Sequence, residues 1–326
     1  MTASPTATTQ PRFEDEPCPP LSSVIGWRGL VQIAVIGALA IAAFWTPLRE
    51  TVIQRWIDDG NWSHGWLVPL FSLYFLHTRR EELARADVRP SFLGLPIIIA
   101  FLGAYYWTVL FLPISYARPV CFVGVLFGAT LFLGGWHIVR VAWFPLAFLL
   151  LAVPLPDSLY VDLTMPLRKI SSVVAAQILS AIPNLQTDIS GVVIDYVYKN
   201  THGSLNVEQA CSGMRLMMSF VTLGVAMAYL GDRPTWQRII MVLSCIPIAI
   251  ICNIIRVTTT GILYVFKDQP IGQRLDLESW TRGTPHALIG LAMLPIALGL
   301  FALVGWILNN FFVEDDSDPI RSASAS

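Results

Sequence analysis

Long apolar runs separated by short polar segments dominate the chain from about residue 29 onward. A helix needs about 20 apolar residues to cross a bilayer. Eight apolar runs predict helices at about 29–46, 64–78, 92–112, 119–134, 138–155, 212–230, 237–266 and 285–312. The second run is the shortest, with about 15 residues or ~22 Å of helix. The pattern predicts an all-α polytopic membrane protein.

Composition agrees with this pattern. The 326 residues are 55% hydrophobic and 13% charged, whereas soluble proteins are about 25% charged. The net charge of −1 gives no reason to expect a nucleic-acid partner. The five cysteines lack the C-x-x-C spacing of zinc sites and show no disulfide framework. We therefore expect neither a metal nor a cofactor.

Basic residues near the ends of the runs predict the orientation in the membrane. With the N-terminus inside, the inside loops are short and dense in arginine: Arg79, Arg80, Arg85, Arg89, Arg140 and Arg233. The outside loops are longer and rich in acids, although they also contain Arg168, Lys169 and Lys199. We expect a multi-pass protein of the cell membrane (the inner or cytoplasmic membrane), with residues 156–210 on the extracytoplasmic side.

Three regions follow from the same pattern. Residues 1–27 are expected to form a disordered cytoplasmic tail, because they begin with a polar, Pro-rich and acidic stretch. That stretch is unlike the positively charged start of a signal peptide. Residues 28–312 are expected to form a single transmembrane domain, and residues 313–326 a second disordered tail.

The segment 156–210 contains two predicted elements. Apolar residues at 163, 167, 170, 174, 178 and 182 predict a helix with one apolar face, lying flat on the outer leaflet. The loosely alternating stretch ISGVVIDYVYKNTHGSLNVEQ (189–209) then predicts a small hairpin. The second arm of this hairpin would lead the chain directly to Cys211.

Three polar side chains are expected at one depth of the membrane. Cys211 begins the sixth run at its outer end, and His286 opens the eighth run from the outside. Arg256 lies about 19 residues, or ~28 Å, beyond the inner start of the seventh run. Each has an ordinary explanation: a buried apolar cysteine, an arginine that snorkels to head groups, or a histidine at a helix cap. Their convergence makes catalysis a candidate function.

The chemistry of these three side chains is coherent. A thiolate is a nucleophile, and a nearby cation or a helix N-terminus lowers the pKa of its thiol. Arg215 lies one turn after Cys211. His286 could exchange protons with the thiol and the leaving amine. Arg256 could hold the oxyanion of a tetrahedral intermediate, so acyl transfer on a peptide is the reaction class that fits.

The motifs around these residues resemble those of the exosortase/archaeosortase family of membrane-embedded cysteine transpeptidases. ACSGMR (210–215) resembles the nucleophile motif, NIIR (253–256) the N-x-x-R segment and HALIG (286–290) the third segment. NWSHGWLVPLFSLYFLHTRR (61–80) and WFPLAFLLLAVPLPDSLY (143–160) are also similar. The segment that precedes Cys211 is longer than in many members, which leaves open the substrate motif that it reads.

This resemblance implies a function. Members act on exported proteins that carry a C-terminal sorting signal, which consists of a Pro-containing motif, a transmembrane helix and a basic cluster. Cys211 would then be the acyl-enzyme nucleophile, and an unidentified acceptor would receive the acyl group. Arg256 would be a proton donor or oxyanion partner, and His286 the third member of the site. Arg215, Asn253 and His64 would have supporting roles, although a loop or helix-cap role suits His64 as well.

Two other classes of function remain open. A transporter or flippase could use Arg256 and His286 to bind an anionic substrate, but no internal repeat is evident. A non-catalytic scaffold for envelope or polysaccharide assembly would have no use for a thiol at position 211.

Overall fold

The computed structural model describes residues 21–311, with gaps at 113, 200, 208–214, 232, 268, 275 and 278–283. Cys211 therefore lies outside the described residues. Most of the described chain is helical, and helices cover most of each predicted apolar run. The α-helices are α1 Leu21–Ala43, α2 Trp45–Pro47, α3 Gln54–Asp58, α4 Leu67–Thr78, α5 Arg80–Arg85, α6 Gly94–Leu110, α7 Ala117–Phe148, α8 Asp157–Ser180, α9 Arg215–Leu230, α10 Thr235–Leu243, α11 Cys245–Phe266, α12 Pro270–Arg274 and α13 Thr284–Phe311.

Tighter and wider helical turns join some of these helices. A π-helical segment spans Leu48–Ile53, and 3-10 segments span Gly60–Trp66 and Leu149–Ala152. Within the described ranges, four stretches are long and apolar enough to cross a membrane: Gly26–Ala43, Ala117–Ala152, Thr235–Phe266 and Ala292–Asn310. The expectation of a helical, multi-pass membrane protein is confirmed, whereas the number of eight crossings stays a prediction.

The chain divides into two compact units, of which the first comprises the residues up to Trp45 together with Ser72–Phe148. Within it, α6 packs closely against α7. A Cβ added to Gly94 would meet the backbone of Gly128 and Phe132, so the absence of a side chain permits this approach.

Gly135 breaks α7 into two helices. Its φ of 78° and ψ of −173° lie in a region of backbone conformation that is essentially restricted to glycine. The break separates the two predicted runs 119–134 and 138–155, and the predicted loop 135–140 is helical beyond Gly135. The Arg89 N–H donates a hydrogen bond to the carbonyl of Gly134 at 3.3 Å, which ties the preceding loop to this turn.

The second unit comprises Thr46–Phe71 and the chain from Leu149 onward. Its centre is a hydrophobic core shared by α9, α11 and α13, with α10 at its edge. The buried members are Phe220, Ala228, Met241, Cys245, Ile248, Ala249, Cys252, Met293, Ala297 and Phe301. The helix that follows Cys211 and the helices that carry Arg256 and His286 therefore pack against one another.

Helix α8 packs along α11 with its polar face inward. The apolar face that the sequence predicts is exposed at Leu163, Ile170 and Ile178, whereas small and polar residues on the opposite face are buried. Leu179 lies against Gly261, and one turn earlier on both helices Ala175, Ala176 and Val257 share a cluster. The two helices run side by side in the same direction. The helix and its apolar face are as predicted, whereas its position flat on the outer leaflet stays a prediction.

A three-stranded antiparallel sheet follows α8, where the sequence predicts a two-stranded hairpin. Its strands β1 (Leu185–Ser190), β2 (Val193–Tyr198) and β3 (Thr201–Asn206) lie in the order β1-β2-β3. The registers pair Asp188 with Asp195 and Ile194 with Leu205. β3 ends five residues before Cys211, so the predicted path into the candidate nucleophile is retained up to the last described residue, Val207.

Replacing Gly135 with alanine is expected to destabilise the protein. A Cβ there would collide with the carbonyl oxygen of Arg89, and the backbone conformation itself costs about 1–3 kcal/mol for a non-glycine residue. Thermal unfolding in detergent should show a lower midpoint for Gly135→Ala. The matched control is Gly103→Ala in α6, where a Cβ would meet no atom within 4 Å. Equal midpoints for the two variants would contradict this account of the turn.

Candidate functional site

Arg256 is buried within the second unit. It lies on the face of α11 that also carries Cys252, Val257 and Thr260, all of them buried. Its residue surface is only 3% exposed. An arginine that snorkels to lipid head groups keeps its charged end accessible to water, so the structure does not support that alternative.

The guanidinium of Arg256 lies against α13 at Gly290. A Cβ built on Gly290 would be 3.6 Å from Cζ and Nη2 of Arg256 and 3.8 Å from Nη1. His286 lies four residues before Gly290, which is one helical turn, or about 6 Å along the axis, on the same side of α13. The structure therefore brings Arg256 to the helical turn that carries His286. The side chain of His286 lies outside the described part.

A close crossing of three helices provides a second way to compare the positions of these residues along the helix axes. A Cβ on Gly224 of α9 would meet the Cys245 sulfur of α11 and, at 3.0 Å, ring carbons of Phe301 in α13. At 1.5 Å per residue, Arg215 lies about 14 Å from this crossing along the axis of α9. Arg256 and Gly290 each lie about 17 Å away on their own helices. The three positions share one level, in agreement with the contact between Arg256 and Gly290.

The structure describes the predicted site residues to different extents. Arg256 and α13 are in contact, and Asn253 lies one turn before Arg256 on α11, half-buried. Arg215 is the first described residue of α9, although its side chain is not described. Cys211 lies four residues before it.

His64 belongs to the partly buried 3-10 segment Gly60–Trp66, which packs against α9. The N-cap of this segment is Asp59, whose carboxylate accepts a hydrogen bond from the Asn61 N–H at 2.9 Å. His64 lies inside the segment, so it is not the cap. The segment is wedged tightly: a Cβ on Gly65 would collide with the indole of Trp56, whose Nε1 donates to the Ala152 carbonyl at 2.9 Å.

The imidazole of His64 is buried. Its residue surface is 6% exposed, and burial lowers the pKa of His64 below its ordinary value of 6.5. The backbone of Leu151 and of Asn61 favours the charged form and opposes part of this shift. Neither ring nitrogen has a hydrogen-bond partner of normal geometry within the described part of the chain. Such a group is unusual in a folded protein.

The sequence analysis missed the polar inner face of α8. Thr164, Arg168, Ser171 and Ser172 are buried, although we assigned Arg168 to an outside loop. The spacing of these residues, three and four apart, is a helical signal that was present in the sequence. Arg168 is thus a second buried arginine, and its helix α8 packs against α11, which carries Arg256.

The pH dependence of stability should reveal the buried imidazole of His64. Because its pKa is lower in the folded protein, its contribution is complete above about pH 6.5 and is lost as the pH falls from there toward the folded pKa. The loss is about 1.4 kcal/mol for each pH unit in that window. Unfolding midpoints measured between pH 7.5 and 5 should fall more steeply for the wild type than for His64→Gln.

The control for this comparison is His202→Gln, because His202 is exposed. This variant should follow the wild-type curve. Parallel curves for His64→Gln and the wild type would show that His64 is not buried as a neutral group.

The comparison with known families covers residues of both units. Residues 56–306 match the family model described as transmembrane exosortase (Exosortase_EpsH). No curated protein and no solved structure matches the chain significantly. The matched range is well over half of the chain and includes positions 64, 211, 256 and 286. The protein therefore belongs to the transmembrane exosortase family, whose members are membrane-embedded cysteine transpeptidases.

Proposed function

We propose that this protein cleaves the C-terminal sorting signals of exported proteins at the extracytoplasmic face of the cell membrane. Cys211 is the nucleophile, Arg256 stabilises the oxyanion and His286 transfers protons. The observation that carries the proposal is the contact of a buried guanidinium with Gly290, one turn from His286. It supports the prediction that distant segments of the chain meet at one level.

The first half of the reaction forms a thioester. His286 accepts the thiol proton, and the Cys211 sulfur attacks the carbonyl carbon of the scissile peptide bond. The carbonyl oxygen becomes an oxyanion, which the Arg256 guanidinium stabilises in a site of low dielectric. The carbon–nitrogen bond then breaks, and His286 donates its proton to the leaving amine. Arginine stays protonated in proteins, which suits Arg256 to the oxyanion and not to proton transfer.

The second half releases the acyl group. An acceptor nucleophile, whose identity we leave open, attacks the thioester while His286 removes its proton. The carbon–sulfur bond breaks, and the thiol of Cys211 regains a proton. We assign supporting roles to Arg215, Asn253 and His64. Arg215 adds positive charge one turn after the thiol, and Asn253 lies one turn from Arg256.

The orientation of the protein in the membrane is part of the same proposal. Segments rich in arginine, such as 79–91, predict that the N-terminus lies inside the cell. Eight crossings within a domain of residues 28–312 then bring position 211 to the extracytoplasmic side. The lipid bilayer and the transmembrane helix of the substrate are the partners that this arrangement requires.

Processing of a reporter tests the nucleophile. The reporter is an exported protein with a C-terminal tripartite signal, co-expressed with the wild type, Cys211→Ser or Cys211→Ala. We expect the wild type to shorten the reporter and both variants to accumulate the uncut precursor, as measured by immunoblotting. Cys121→Ala is the control, because Cys121 is a buried thiol of the first unit and should leave processing unchanged.

Two outcomes would redirect the assignment. Equal processing by the wild type and Cys211→Ser would remove the thiol from the mechanism. If neither variant nor wild type processed the reporter, and Arg256→Ala abolished uptake or flipping of an anionic solute, the transporter alternative would replace the enzyme.

Position 290 offers a test of the Arg256 guanidinium that leaves Arg256 itself intact. In Gly290→Ala the added Cβ would make ordinary contact at 3.6 Å, so processing should persist. In Gly290→Leu the larger side chain must displace the guanidinium. The rate of reporter cleavage should then fall toward that of Arg256→Ala, since loss of one oxyanion donor costs about 10²–10³ in rate.

The control for side-chain size is Gly299→Leu on the same helix. A Cβ at Gly299 would meet no atom within 4 Å, so this variant should process the reporter normally. If Gly290→Leu had full activity at normal expression, the contact between Arg256 and Gly290 would not be required for catalysis.

A further inference from the structure

Three buried hydroxyl groups of the second unit have no hydrogen-bond partner of normal geometry within the described part of the chain. They belong to Ser171, Thr222 and Thr260. Buried polar atoms in folded proteins are almost always hydrogen-bonded. The buried hydroxyls of Ser72 and Thr108, in the first unit, follow this rule, because each donates to a backbone carbonyl at 2.7 Å.

Two neighbouring serines of α8 differ in this respect. Ser171 and Ser172 are both 0% exposed. The Ser172 hydroxyl donates to the Arg168 carbonyl of its own helix at 2.9 Å, and Thr164 donates to the Val161 carbonyl at 3.2 Å. Such bonds to the preceding turn are common for serine and threonine in helices. The Ser171 hydroxyl makes no such bond, so its position within the unit, and not its residue type, sets it apart.

Ser171 lies close to the level of Arg256. It is one turn before Ala175 on the buried face of α8, and Ala175 shares a cluster with Val257 of α11. Since the two helices run in the same direction, Ser171 lies about one turn before Val257, at the level of Asn253. This level is about 5 Å from that of Arg256 along the axis of α11.

Thr260 lies on the other side of Arg256. It follows Arg256 by four residues, or about 6 Å, on the same buried face of α11, and it is 1% exposed. The next residue, Gly261, faces Leu179 of α8, where an added Cβ would lie 2.7 Å from the Leu179 Cδ1. The two helices pack closely at this point, so the space between them suits only a small molecule.

Water satisfies polar groups of this kind in proteins. A buried water molecule typically makes about three hydrogen bonds to groups that otherwise lack a partner. A hydroxyl can both donate and accept, and the Arg256 guanidinium carries five N–H donors, so it can bond water in addition to its protein partners. The hydroxyls of Ser171 and Thr260, on either side of this guanidinium, therefore favour bound water at this position.

We propose that Ser171 and Thr260 hold water between α8 and α11, and that this water is the acceptor that releases the acyl group. Its oxygen attacks the carbonyl carbon of the thioester while His286 removes one proton. The carbon–sulfur bond breaks, and the Cys211 sulfur regains a proton from His286. The products are a carboxylic acid and the thiol, so the net reaction is hydrolysis.

The inference rests on the proposed function, because it identifies the acceptor that completes that reaction. Binding beside the oxyanion partner would give water a high effective concentration at the thioester. The close packing of α8 against α11 would exclude larger acceptors from the same position.

Thermal unfolding tests the bound water without reference to activity. Thr260→Val keeps the shape of the side chain and removes its hydroxyl. If water bonds to this hydroxyl, the variant should unfold in detergent with a midpoint lower by about 2 °C or more. A hydroxyl that bonds to nothing would give an unchanged or raised midpoint when it is removed, and that result would contradict the proposal.

Isotope labelling of the product tests the acceptor. The wild type cleaves the reporter in membranes of the expressing cells, where other acceptors can compete, in water enriched in the heavy oxygen isotope. We expect one heavy oxygen atom in the new C-terminal carboxyl group, as measured by mass spectrometry. Reporter that is cleaved in ordinary water and then moved to labelled water is the control for exchange. A product joined to another acceptor, without heavy oxygen, would overturn the assignment of water.

The lifetime of the acyl-enzyme tests the two hydroxyls. In Ser171→Ala and Thr260→Val, the first product should be released at the wild-type rate. The acyl-enzyme, followed by the intact mass of the full-length protein, should decay about tenfold more slowly, since one hydrogen bond contributes up to about a factor of ten. The matched controls are Ser172→Ala and Thr164→Val, which remove buried hydroxyls that bond to their own helix. Both steps should keep the wild-type rate in these controls.

The outcomes separate this inference from the function on which it rests. Decay at the wild-type rate in both Ser171→Ala and Thr260→Val would overturn the water site, even if heavy oxygen entered the product. The proposed function would still stand as long as Cys211→Ser remained inactive. Normal processing by Cys211→Ser would overturn the proposed function itself.

Discussion

A buried guanidinium in an apolar helical bundle is the constraint on which the second unit depends. Placing a charged arginine within a membrane helix costs about 3 kcal/mol or more, and Arg256 is 3% exposed. The surrounding helices must therefore be arranged to hold it. Gly290 provides a surface without a side chain against which the guanidinium lies. The close crossing at Gly224, where α9, α11 and α13 meet, fixes the helices that enclose it.

The polarity of α8 follows from the same constraint. In a soluble protein an amphipathic helix buries its apolar face, but α8 exposes Leu163 and Ile170 and buries Thr164 and Arg168. A bilayer accepts apolar side chains from outside, while polar groups in the interior can be satisfied only by other protein groups. The inward polar face lies along α11 and gives the interior of this unit a polar character that apolar packing alone would lack.

The sheet extends this arrangement beyond the helices. Val257 contributes to the cluster that anchors β3, and Tyr196 bonds the backbone of α11 at Tyr264. The strand that leads to Cys211 is thus fixed to the helix that carries Arg256. Movement of α11 would therefore shift both the guanidinium and the end of β3.

The sequence by itself determined the helices, because apolar runs and their breaks are local properties. It identified the family through short motifs at 210–215, 253–256 and 286–290. It also indicated a shared depth for Arg256 and His286, since helix length converts residue number into distance. Only the tertiary structure decided which face of α8 is buried, that Arg256 lies against Gly290 and that the His64 side chain is buried. Those facts depend on which helices become neighbours, and a local pattern of polarity does not specify a neighbour.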